Sequence, residues 1–294
     1  MKTPRMLKGM GVVGVSLLIG SMLVTGGSMQ TYAKEAKELE AQTASISQVK
    51  DQTTGLSKKS SPAQITNEDK SIVLTKLNDN VWAHTSYNEW NGTKIDHNGL
   101  IVSTPKGVVL VDTAWDTAES QHKTEELLKM IKEHFKKKVV MAIVTHAHDD
   151  SIGGIQALLD QGIDVRSTPL TAKLAKEYGY PSPNPTLDVN TVMKVGGIGI
   201  ETFYPGEGHS QDNITVWLPQ SKILFGGCFI KALAATDLGN LSDANVEQWD
   251  DSVKKVVEKY PHIETVIAGH GKWGDKSLLF HTIELVNQYT DTEK

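Results

Sequence analysis

The chain has 294 residues, a net charge of −5 and 39% hydrophobic residues, enough for one large core or two fused half-domains. The mildly acidic balance lacks the basic excess of a nucleic-acid-binding surface, so no nucleic-acid partner is expected. A single cysteine excludes an internal disulfide.

At the N-terminus, Lys2, Arg5 and Lys8 precede an uncharged, largely apolar stretch from Gly9 to Val24, and small and polar residues follow up to Ala33. This is the layout of a secretory signal peptide over residues 1–33, with Thr31-Tyr32-Ala33 as the cleavage site. An uncleaved anchor is the other reading, but the stretch is Gly-rich and short of the roughly 20 strongly apolar residues that a spanning helix needs. No cysteine lies nearby to carry a lipid. The expected location is therefore secreted or periplasmic, with no membrane attachment after cleavage. Residues 34–66, rich in Lys, Glu, Gln, Ser and Thr, read as a disordered linker or a fraying helix. The folded domain is expected over residues 67–294.

Within that domain, strand-like runs occur at 72–77, 81–84, 100–103 and 108–112, with Pro105-Lys106-Gly107 as a hairpin turn. A helix over 118–137 follows, with Leu128, Ile131 and Phe135 on one face. Its basic end, Lys132 to Lys138, reads as a solvated helix terminus. A strand to Val144 and a helix near 153–161 complete the first half. After a Pro-rich loop at 181–185 come strands at 192–203, 214–218 and 222–226, a helix at 246–259, a strand at 263–268 and a last helix over 276–289. Strands first and helices after, twice, imply an α+β fold: two β-sheets packed face to face with helices outside.

The chemistry concentrates at strand ends. His146-Ala147-His148-Asp149-Asp150 directly follows the apolar run Val139 to Val144. Two histidines one residue apart point the same way at a frayed strand end, and a carboxylate two positions later swings back toward them. Imidazole nitrogen and carboxylate oxygen are ligands that a borderline cation such as zinc takes. A solvated loop rich in His and Asp is the plain alternative.

Three further residues repeat the order of strand, glycine, then ligand type: His209 after Gly208, Cys228 after Gly227 and His270 after Gly269. Singly, each reads as an ordinary loop residue or core filler. Together they converge if their strands end on one sheet edge. A lone thiol in a secreted chain is a liability that metal ligation explains.

With these segments in view, Thr145-His146-Ala147-His148-Asp149-Asp150, Gly206-Glu207-Gly208-His209, Gly226-Gly227-Cys228 and Gly269-His270-Gly271, the sequence resembles the zinc-dependent, class B β-lactamases. It is most similar to the subclass with a three-histidine site beside an Asp-Cys-His site, and Ala235 to Asn240 looks similar as well. The likeness runs from about Ile72 to the C-terminal helix.

It implies an αββα sandwich. It also implies two zinc ions, one held by His146, His148 and His209 and the other by Asp150, Cys228 and His270. The implied activity is hydrolysis of the β-lactam ring of penicillins, cephalosporins and carbapenems by metal-acidified water, conferring antibiotic resistance on a bacterium. Asp150 would orient the attacking water. Asn240 would meet the oxyanion, or else serve as a turn residue. Lys231 would meet the substrate carboxylate, or else only solubilise. Trp90, on a hairpin loop, would act as a flap over the substrate or pack on its own strands. Asp112, ending its strand, would orient a ligand histidine, or else cap a helix or form a turn. A monomer is expected.

Two neighbours depart from the family pattern, in which a small residue precedes the aspartate and an Arg follows it: here Asp149 and Ser151 flank Asp150. Asp149 adds a negative charge that favours cations, or caps the following helix. A hydrolase of the same fold acting on thioesters or lactones is the main rival, and a non-catalytic zinc-binding protein is the other. Cys228 and Ser151 speak against the first. The second would need about eight ligand positions for two tetrahedral ions, more than the six found.

Overall fold

A computed structural model describes residues 62–90 and 92–292. The signal peptide and nearly all of the linker expected at 34–66 lie outside these residues. The first strand, β1 (Gln64–Thr66), falls within the last residues of that stretch and pairs antiparallel with β2 (Ile72–Lys76).

The first sheet continues through β3 (Val81–Trp90), β4 (Thr93–Thr104), β5 (Gly107–Val111), β6 (Val139–Ile143) and β7 (Asp164–Arg166), in sequence order from edge to edge. Its second half turns parallel, because the crossover from β5 to β6 is the helix α1 (His122–Phe135). Helices α2 (Asp149–Ile152) and α3 (Ile155–Asp160) lie between β6 and β7, and α4 (Pro169–Glu177) follows. The second sheet runs β12 (Thr265–Ala268), β11 (Ile223–Gly227), β10 (Thr215–Leu218), β9 (Ile198–Phe203) and β8 (Asn190–Val195). Helix α5 (Val246–Lys259) connects the parallel pair β11 and β12, and α6 (Ser277–Thr292) closes the chain.

Burial with period two divides these strands among three cores. Leu100, Val102, Val109, Val111 and Ile143 face the other sheet and meet Ile200, Val216, Ile223, Phe225 and Ile267. The alternate residues Ile101, Leu110 and Ala142 face outward onto Leu127, Ile131 and Leu158 of the helices. On the far side, Leu224 and Val266 pack under Trp249, Val253, Leu279 and Val286. The layers are therefore helix, sheet, sheet, helix, as expected. Strands covered on both faces read as unbroken apolar runs, which is why β5, β6, β11 and β12 are plain in the sequence.

Candidate metal centre

The ligand-type residues follow strand ends. His146 and His148 lie just beyond β6, Cys228 directly follows β11, and His270 comes two residues after β12. His209 lies farther out, six residues past β9. Asp112 sets the base of the first loop. It takes a left-handed φ of 59°, which a short polar side chain tolerates, and its carboxylate accepts from Thr145 N and Thr145 Oγ1, each at 2.8 Å. Ser151 Oγ donates to the same carboxylate at 3.2 Å. Burial pushes the Asp112 carboxyl up to about 8, against those hydrogen bonds. Asp112 thus reaches the ligand loop through Thr145, whose hydroxyl is 3.4 Å from His146 Nδ1.

The ligand-capable atoms of His146, His148 and His209 lie within 4.8 Å of one another. His148 Nδ1 is 3.1 Å from His209 Nε2. The other ring nitrogen, His148 Nε2, faces both oxygens of Asp243 at 3.0 and 2.9 Å, and Tyr178 OH donates to the same carboxylate at 3.1 Å. With Nε2 donating to Asp243, Nδ1 is left to offer its lone pair.

A second triangle adjoins the first. Cys228 Sγ is 3.2 Å from Asp150 Oδ2 and 3.3 Å from His270 Nε2, and His270 Nε2 is 3.2 Å from Asp150 Oδ2. Bonds of 2.0–2.3 Å imply tetrahedral ligand-to-ligand edges of about 3.3–3.8 Å, so this triangle suits a zinc-sized ion. His270 Nδ1 donates to Asp96 O at 2.5 Å, which turns Nε2 inward. Gly269 permits the approach: a Cβ there would fall 2.6 Å from Cys228 Sγ.

Buried polar atoms from the two groups, His146 Nε2 and Asp150 Oδ1, lie 3.5 Å apart and neither has a hydrogen-bond partner. Such atoms cost about 1–3 kcal/mol each unless something binds them, so the donor set fits a metal ion. Burial holds the His146 imidazole down to about 3 and His209 well below the usual range, so both are neutral. Burial, reinforced by the Asp150 charge, raises the Cys228 thiol well above its ordinary value. A cation binding there must displace its proton.

Above these groups opens a cavity of about 960 Å³, walled by Trp115, Tyr178, Tyr180, Ile230, Lys231 and Asn240. Lys231 Nζ sits 5.3 Å from the Trp249 ring centre, and burial lowers its pKa while Cys228 and Asp150 oppose that shift. Asn240 is exposed, and its Oδ1 also accepts from Ser242 N at 3.1 Å, the turn contact foreseen for it. Trp90 ends β3 and pairs with Thr93 at the hairpin tip; its side chain lies outside the described residues. Asp149 is the first residue of α2, with His148 rather than Asp149 at the cap position, and it lines the cavity.

Sequence reasoning missed Asp243, Asp96 and His97. His97 on β4 is wholly buried, and its ligand-capable atom lies within 4.8 Å of those of Asp150 and Cys228. Asp243 looks like any surface carboxylate in a polar loop. His97 sits between the polar residues Asp96 and Asn98, where nothing marks burial.

The family model described as the metallo-beta-lactamase superfamily matches residues 93–270. The metallo-beta-lactamase type 2 of Bacillus sp. (strain 170) is 48% identical over 222 residues, covering 76% of this chain and 85% of that protein. The same-named protein of Bacteroides fragilis is 37% identical, covering 75% and 88%. Among solved structures, a metallo-beta-lactamase from Pontibacter korlensis superposes with a TM-score of 0.71 at 44% identity, covering 74% of this chain and 99% of that one. Another from Pseudomonas aeruginosa, in a mono-zinc form, gives 0.70 at 31% identity, covering 78% and 99%.

Proposed function

The chain belongs to the metallo-beta-lactamase superfamily, and from that premise we propose that its cavity hydrolyses the amide of β-lactam antibiotics with two zinc ions at its floor. One observation carries this reading: two adjoining groups of buried, partly unpaired ligand atoms open onto one cavity large enough for a bicyclic antibiotic.

His146, His148 and His209 would hold one ion with neutral ligands, and Asp150, Cys228 and His270 the other with two negative ones. When bound, zinc supplies a Lewis acid that polarises the lactam carbonyl and brings the pKa of water toward about 7. The residues do the rest. Asp150 Oδ1, which has no hydrogen-bond partner in the protein, accepts a hydrogen bond from the attacking water and aims it. Asp243 and the Asp96 carbonyl fix the rings of His148 and His270, so that neither turns during turnover. The Asn240 amide donates to the oxyanion that develops as the carbonyl carbon becomes tetrahedral. Lys231 pairs with the carboxylate that penicillins, cephalosporins and carbapenems share. The aromatic wall of Trp115, Tyr178 and Tyr180 excludes water from the ring system.

We also infer export by the N-terminal segment and action as a monomer. The charged start, apolar stretch and small residues before Ala33 support export, as does the lone cysteine. Among the described residues no helix is long and apolar enough to cross a membrane.

The test is hydrolysis of one penicillin, one cephalosporin and one carbapenem by purified protein, with and without a chelator, beside a thioester and a lactone. Turnover confined to the antibiotics and lost on chelation is expected. Preferential turnover of the thioester or lactone would move the protein to another branch of the same fold.

A further inference from the structure

We propose that His97 is a fourth protein ligand of the Asp150, Cys228 and His270 metal site, entering it from the side away from the cavity. The proposal rests on the two-ion reading above and adds a ligand to one of its sites.

His97 is the middle of Asp96-His97-Asn98 on β4, and both of its neighbours are tied to the strand end that carries His270. Asp96 takes the His270 Nδ1 proton on its carbonyl oxygen and accepts from Gly271 N at 3.0 Å. Asn98 donates through Nδ2 to the carbonyls of Ala268 and Gly271 at 3.0 and 2.8 Å, and its backbone N donates to Gly269 O at 2.7 Å. The residue between these anchors has little freedom to leave. Its ring stands against that of His270, centre to centre 5.5 Å, at 65°.

The surroundings of His97 call for a partner. It is 0% exposed, and neither Nδ1 nor Nε2 is hydrogen-bonded. An imidazole buried with both nitrogens unpaired is costly, and most such groups have a binder. Its ligand-capable atom lies within 4.8 Å of the Asp150 oxygen and the Cys228 sulfur. Asp150 and His270 line the cavity, whereas His97 and Cys228 do not, so His97 approaches from the buried side.

Two imidazoles, a carboxylate and a thiolate make four donors, the number that a tetrahedral zinc site takes. A site so filled would keep no position of its own for water. Water activation would then fall to the three-histidine site alone.

The test uses full-length protein labelled with 15N-histidine and loaded with cadmium-113 in place of zinc. The resonance of the thiolate-bearing site should couple to two histidine nitrogens, and to one in both His97→Ala and His97→Gln. In chelator competition, both variants should release that ion with at least about tenfold weaker affinity. Coupling to a single nitrogen in the unsubstituted protein overturns the assignment of His97 and leaves the two-ion reading standing. Absence of any thiolate-coordinated cadmium overturns both.

Discussion

Cys228 is the residue on which the proposed Asp150, Cys228 and His270 site turns. It is 2% exposed, and its thiol is held protonated by burial beside a carboxylate, a state that only a bound cation makes favourable to leave. Cys228→Ser should keep the fold but lower tightly bound zinc by about one ion per chain, measured by atomic absorption after gel filtration. Unchanged zinc content would reduce the cysteine to core filler. Lys231→Ala should raise KM for carboxylate-bearing β-lactams about 10- to 100-fold with little change in kcat, since the pair it breaks exists in substrate and transition state alike. An unchanged KM would remove Lys231 from the site. The ligand-type residues that the sequence revealed are those preceded by an apolar strand and a glycine, or joined in a short His-x-His-x-Asp run. Asp243 escaped because its role depends on a loop from the second half reaching His148, a contact that no local pattern encodes.

At the scale of elements, Asn98 links the sheets at the place where the site is built. Asn98→Ala would leave the buried carbonyl of Ala268 and that of Gly271 without their donor, at a cost of ~2–4 kcal/mol. The expected fall in Tm is about 5–15 °C, read by calorimetry on the metal-free protein. A Tm within one degree of the parent would mean that the tie carries no load. The strands covered on both faces were legible, and so was the amphipathic α5, whose bounds match the expected 246–259. The hairpin of β3 and β4 was cut short, because from Thr85 to Trp90 and from Thr93 to Asn98 the two strands are mainly polar and pair with each other through backbone bonds. The run 192–203 proved to be two strands, β8 and β9, turning at Gly196 and Gly197 with positive φ. Helix α4 was overlooked although its start is signalled: Thr168 caps it by accepting from Thr171 N at 3.1 Å, and Pro169 is its first residue. Strand β7, three residues long, is too short to show a period.

For the whole molecule, the buried histidines tie stability to pH. His84 lies within the first sheet and faces the Val111 carbonyl at 3.1 Å. Burial, only partly offset by backbone hydrogen bonds, lowers its pKa to about 4. Unfolding returns it to its ordinary value near 6.5, so between those values the unfolded chain binds the extra proton. The contribution is therefore full above pH 6.5 and is lost as pH falls toward 4, about 3 kcal/mol at most. Urea unfolding of metal-free protein from pH 7 to 4 should show a slope shallower by up to one proton in His84→Gln than in the parent. Equal slopes would show that His84 exchanges protons freely in the folded state.

Above these particulars stands the claim that side chains from both halves of the sandwich meet around two ions to open a β-lactam ring. Titrating zinc into metal-free protein while following hydrolysis of a carbapenem tests it most directly. The proposed two-ion site predicts no turnover without zinc and a rise that is complete at about two equivalents per chain. Full turnover by the metal-free protein would contradict it.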